Sequence, residues 1–141
     1  MPRRTSEAQW EGTLKEGTGR FSTESGQVSG SYSFTTRFEE EKGSNPEELL
    51  GAALASCFSM KLSADVDAAG HRPESVRTVA VVHLDKAEAG FAITGIDLET
   101  EAAVPGIDPA EFEKVAESSK ENCPISKTLA IPIRLTARLA S

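Results

Sequence analysis

Thiols and imidazoles are scarce in this sequence, with two cysteines and two histidines in 141 residues. A zinc site needs about four ligands at compact spacing. Cys57, His71, His83 and Cys123 are dispersed over different predicted elements, so no metal centre is expected. Cations are also in the minority, 15 Lys and Arg against 22 Asp and Glu, and the net charge of −7 disfavours nucleic acid and anionic membrane surfaces as partners. No glycine-rich phosphate loop occurs, so nucleotide binding has no support and no cofactor is expected. A serine nucleophile elbow is missing too. No uninterrupted apolar run approaches the ~20 residues that span a bilayer. The first ten residues, MPRRTSEAQW, are charged but lack the apolar stretch of a signal peptide. These absences point to a soluble, cytoplasmic protein, a compartment in which a structural disulfide is disfavoured.

What is present is a globular composition, 38% hydrophobic and 26% charged, of a length that suits one domain over 1–141. The Gly, Ser and Thr texture of the first forty residues predicts strands near 7–15, 18–24 and 28–38. On the third of these, Tyr32, Phe34, Thr36 and Phe38 share one face and Arg37 lies on the other. Asn45-Pro46, with Glu48 three residues after the cap, predicts the start of a long helix that Gly70 ends. Its small residues, Gly51 to Ala55, would let another backbone approach closely. Alternating residues predict a hairpin of about 76–85 and 91–104. Asp108-Pro109 with Glu111 predicts a helix over 109–121, Cys123-Pro124 a helix break and a short helix over 124–130, and Ile131 to Leu139 a last strand. The order βββ, α, ββ, α, α, β is α+β, and antiparallel connections explain it better than repeated parallel crossovers.

Taken as residues alone, Cys57 reads as a small buried hydrophobe or as a nucleophile. Cys123 opens a helix, where a thiol pKa can fall. A hydrolase using Cys57 would want a nearby general base, and neither histidine holds a position that suggests one.

Five segments carry a resemblance: STESG at 22–26, TRFEEEKGSNPEELLGAALASCFSM at 36–60, LDKAEAGFAITGI at 84–96, VPGID at 104–108 and CPISK at 123–127. Together they resemble the osmotically inducible protein C (OsmC) subfamily, whose family also contains the organic hydroperoxide resistance proteins. The resemblance implies an OsmC-like α+β fold, antiparallel sheets around a long central helix, in an intertwined homodimer with active sites at the subunit boundary. It implies a thiol peroxidase for organic hydroperoxides. Cys57 would be the peroxidatic thiol, Cys123 the resolving thiol, Arg37 the active-site arginine and Glu48 its carboxylate partner. The implied partners are an organic hydroperoxide and a dithiol reductant, with lipoyl groups the candidates in the hydroperoxide-resistance branch.

Nine residues separate Glu48 from Cys57, which in a helix sets them about half a turn and ~14 Å apart. One helix cannot aim both at one site, so Glu48 is expected either to hold an arginine that serves the partner chain's Cys57 or to reach Arg37 only by a bent path. Leu54, Phe58, Phe34 and Phe38 are the expected walls of an apolar substrate pocket. The rival reading is a non-enzymatic stress protein that binds an apolar ligand in a groove with inert cysteines.

Overall fold

Asn45 does start the long helix, its Oδ1 accepting the Glu48 N–H at 2.8 Å. In the computed structural model, which describes residues 1–140, the chain runs β1 (Ser6–Glu11), β2 (Thr18–Thr23), β3 (Ser29–Tyr32), α1 (Phe34–Phe38), α2 (Pro46–Ala68), β4 (Ser75–Ala87), β5 (Gly90–Ala103), α3 (Pro109–Asn122), α4 (Pro124–Thr128) and β6 (Ile133–Leu139). Contacts divide it into two units, Met1–Leu49 and Leu50–Ser141.

The first unit holds an antiparallel sheet in the order β1-β2-β3. Trp10, Gly19 and Tyr32 form one cross-strand row. A Cβ at Gly19 would stand 2.6 Å from Tyr32 and 2.7 Å from Trp10, so glycine lets the two rings meet at 5.5 Å. The expected strand over 28–38 stops at Tyr32, and Phe34–Phe38 is helix α1 instead. The cause is a capping box: Thr36 N–H donates to Ser33 Oγ, and Ser33 N–H donates to Thr36 Oγ1 at 2.8 Å. Helical spacing then stacks Phe34 on Phe38 at 5.1 Å, where a strand would have left them two residues apart on a face. The strand-face argument for Arg37 is therefore corrected.

The second unit builds its core on α2. Leu54, Phe58, Leu62 and Val66, four residues apart, are all fully buried against Ile96, Leu98 and Ala102 of β5 and Phe112 and Ala116 of α3. Gly51 faces the chain's own β4, where a Cβ would sit 3.3 Å from Val82, so the close approach this glycine permits is internal. The sheet order is β4-β5-β6. β4 and β5 pair antiparallel with a bulge between His83 and Leu84, but β6 runs parallel to β5. The expected antiparallel sheets are corrected at this one pair: α3 and α4 supply the long helical crossover that a parallel pair requires. Ser119 Oγ donates to Asp65 Oδ2 at 2.7 Å, tying α3 to α2, and Lys61 closes on the same carboxylate.

α2 has an 18-residue window of mean hydropathy 1.3, long and apolar enough by length and composition to cross a membrane. Serines, Lys61 and Asp65 interrupt its apolar run. Only 28% of that window is buried within the chain. Leu49 and Met60 are exposed, as are the small Ala52, Ala53 and Ser56 between them.

Phe58 fills the centre of this core. Phe58→Ala is expected to cost about 3–5 kcal/mol in urea unfolding, and a loss under about 1 kcal/mol would contradict the packing described.

Candidate active site

Cys57 and Cys123 are both free, and their sulfurs lie 2.9 Å apart. α2 places Cys57 beside the Phe58 ridge, half-buried. Pro124 cannot continue α3, so Cys123 stands at the break where α3 ends and α4 begins, in extended conformation and fully buried. A disulfide needs about 2.05 Å between sulfurs, so bond formation asks for a shift of about 0.9 Å from the 2.9 Å contact.

The two thiols share their protons unequally. Burial pushes the Cys57 thiol above its ordinary value, and the hydrogen bond to Cys123 and its nearby charge push the same way, with the Ile125 N–H opposing. Burial also opposes ionisation of Cys123, but the hydrogen bond with Cys57, the N–H groups of Ser126 and Ile125 and the Ser126 hydroxyl outweigh it. The Cys123 thiol thus lies below its ordinary value. Cys57 is the reachable sulfur and Cys123 the one on which charge rests more easily.

In the first unit, Arg37 is clamped by a carboxylate, and the carboxylate is that of Glu47. Arg37 Nε donates to Glu47 Oε1 at 3.1 Å and Nη2 to Oε2 at 3.0 Å, while the guanidinium lies 5.0 Å from the Phe38 ring centre. Glu47 is 8% exposed, one of few charged groups buried in the chain. Glu48, the expected partner, is exposed, with its N–H taken by Asn45. The reason is local. The short helix α1 turns Arg37 away from where a strand would aim it, and adjacent glutamates at a helix start point about 100° apart. Asn45 Nδ2 donates to Thr36 O at 3.1 Å, joining α1 to the α2 start and fixing the pair's separation.

Phe34 and Phe38 line an open cleft of about 430 Å³ with Trp10, Leu14, Tyr32 and Arg37. Leu54 and Phe58 are fully buried and so are core residues of the second unit, with no exposed surface to offer a ligand. Two of the four expected pocket walls are corrected accordingly. Among the described residues no cluster of three or more His, Cys, Asp or Glu is placed to hold a metal. Glu47 and Ser126 were missed in the sequence. The doubled glutamate after Asn45-Pro46 was the available signal for the first, and the Cys-Pro-Ile-Ser spacing, which sets a hydroxyl one helical turn from the thiol, for the second.

Residues 39–138 match the OsmC-like protein family, a match that runs across both units. The chain belongs to the OsmC family. It is 52% identical over 136 residues to peroxiredoxin OsmC of Escherichia coli (strain K12), covering 96% of this chain and 95% of that one. To the organic hydroperoxide resistance protein of Xanthomonas axonopodis pv. citri it is 35% identical over 100 residues, 70% and 68% of the two chains. A crystal structure of an organic hydroperoxide resistance protein OsmC from Legionella pneumophila shares the fold, with TM-score 0.72 and 22% identity over 97% of each chain.

The Arg37 assignment separates two neighbouring glutamates. Glu47→Gln should lower stability in urea by about 1–3 kcal/mol, the range for hydrogen bonds to a charged group. Glu48→Gln should change it by less than about 0.5 kcal/mol. Equal losses would contradict the pairing.

Proposed function

We propose that this chain is a cysteine-based peroxidase that reduces organic hydroperoxides to alcohols, and hydrogen peroxide more weakly. The observation that carries the reading is the pair of free thiols 2.9 Å apart, one reachable and one buried, in a chain 52% identical to a peroxiredoxin. Cys57 is the peroxidatic residue. Its thiolate attacks the distal peroxide oxygen, the O–O bond breaks, and the alkoxide leaves as the alcohol after taking a proton. Cys123 thiolate then attacks the Cys57 sulfenic acid, expels hydroxide as water and forms the Cys57–Cys123 disulfide. A dithiol, with lipoyl groups the candidate class, reopens that bond.

On balance the groups that act on Cys57 within the second unit raise its pKa, burial foremost, so the nucleophile needs a cation. Arg37 is that cation in this proposal. A guanidinium beside Cys57 draws the shared charge across the 2.9 Å contact, docks the peroxide and stabilises charge on the departing oxygen. Glu47, not Glu48, fixes its orientation. The arginine serves Cys57 of a second copy in an intertwined homodimer. The exposed small-residue stripe of α2, an apolar helix of which little is covered within one chain, suits a second copy as its cover. Phe34 and Phe38 border the space for the peroxide's hydrocarbon tail. The protein works in the cytoplasm as a soluble dimer, a single OsmC-like domain per chain.

The test is dithiol-dependent consumption of cumene hydroperoxide and hydrogen peroxide. The wild type should turn over the bulky peroxide faster, Cys57→Ser should be inactive, and Arg37→Lys should lose about a hundredfold. Refolding Cys57→Ser together with Arg37→Met chains should restore part of the activity that neither has alone. Turnover by Cys57→Ser would remove Cys57 as the nucleophile and overturn the reading, and no turnover with thiols that survive excess peroxide would overturn it in favour of an apolar-ligand binder.

A further inference from the structure

Ser126 is the one buried residue among those described whose side-chain polar atom has no hydrogen-bond partner. Its residue is 8% exposed, and it sits in the first turn of α4, three positions after Cys123. Buried hydroxyls are almost always satisfied, because an orphaned one loses its water without gaining a partner. The neighbour that its hydroxyl influences is the Cys123 thiol, on which it favours the charged form. A neutral thiol is a poor acceptor, whereas a thiolate is a strong one. The hydroxyl therefore lacks a partner in the resting pair and gains one when charge collects on Cys123.

We infer that Ser126 holds Cys123 as the leaving thiolate when the disulfide is reduced, and so directs the reductant to Cys57. This rests on the Cys57–Cys123 disulfide of the proposed function. In that step a thiolate of the dithiol attacks Cys57 Sγ, the reachable sulfur. The Cys57–Cys123 bond breaks, its electron pair goes to Cys123 Sγ, and a mixed disulfide joins the reductant to Cys57. The second thiol of the reductant attacks its own mixed-disulfide sulfur, releasing Cys57 and leaving the reductant as a cyclic disulfide. Two electrons pass to the protein, and the two protons of the dithiol end on the cysteines. A leaving thiol of lower pKa departs faster, which is the rate term that Ser126 supplies. Attack on Cys123 is blocked by its burial.

The experiment begins from disulfide made with diamide, so that it stands apart from the peroxidase reading; whether peroxide forms the same bond is measured separately. Reduction by dithiothreitol should be about tenfold slower in Ser126→Ala than in the wild type, the effect of one lost hydrogen bond to a charged group. Ser126→Thr should recover most of the rate. In a Cys57→Ser background, thiolate absorbance at 240 nm should titrate at higher pH once Ser126→Ala is added, a shift that a purely structural defect would not produce. Excess 2-mercaptoethanol on the oxidised wild type should leave its adduct on Cys57 by peptide mass spectrometry. Equal reduction rates in wild type and Ser126→Ala, or the adduct on Cys123, would overturn the inference.

Discussion

The contact between two sulfurs is the constraint that the second unit is arranged to satisfy. Cys57 is carried by a 23-residue helix, one position before the Phe58 that anchors it in the core. Cys123 is carried by a break between helices that Pro124 imposes. The Ser119–Asp65 hydrogen bond ties the last turns of α3 to α2, and it sits between the two thiols in the chain of connections. Side chains packed this closely leave few alternatives, so the 2.9 Å approach is a property of the fold before it is a step of chemistry.

Placing two thiols together creates an electrostatic problem, since two thiolates in contact would repel and only one proton leaves easily. Of the two sulfurs, the surroundings favour ionisation of the buried one, the wrong one for attack on a peroxide. A peroxidase built this way needs an outside cation to move the charge and an inside donor to take it back. In the mechanism we propose, the clamped Arg37–Glu47 pair of a second copy answers the first need: a nearly buried carboxylate orients a guanidinium that keeps part of its surface free. Ser126 answers the second. In that proposal, division of labour between a charge that arrives and a hydroxyl that stays lets oxidation and reduction pass through the same reachable sulfur.

Much of this was legible in the sequence, and the failures have local causes. The starts of α2 and α3 were read from Asn45-Pro46 and Asp108-Pro109 because a cap is a short-range signal. The hairpin of β4 and β5 followed from alternation, and the break at Cys123 from the proline after it. The segment 34–38 misled because aromatic and β-branched residues favour strands, while the Ser33–Thr36 capping box that decides the matter is a two-residue feature inside them. Glu48 was carried over by position from the family resemblance. Which of two adjacent glutamates meets Arg37 depends on where α1 aims the arginine, and that is set by tertiary packing. The parallel pairing of β6 was likewise a matter of topology, and Leu54 and Phe58 differ from pocket walls only in what covers them. Ser126 left no signal beyond spacing, since its meaning lies in an unmet hydrogen bond.

The most direct test is peptide mapping under non-reducing conditions after one equivalent of cumene hydroperoxide is added to the fully reduced protein. The account predicts one linked peptide pair that joins Cys57 to Cys123 within a single chain, with no covalent dimer on a denaturing gel. A Cys57 sulfinic acid beside an untouched Cys123 thiol, or a cross-link between chains, would contradict it.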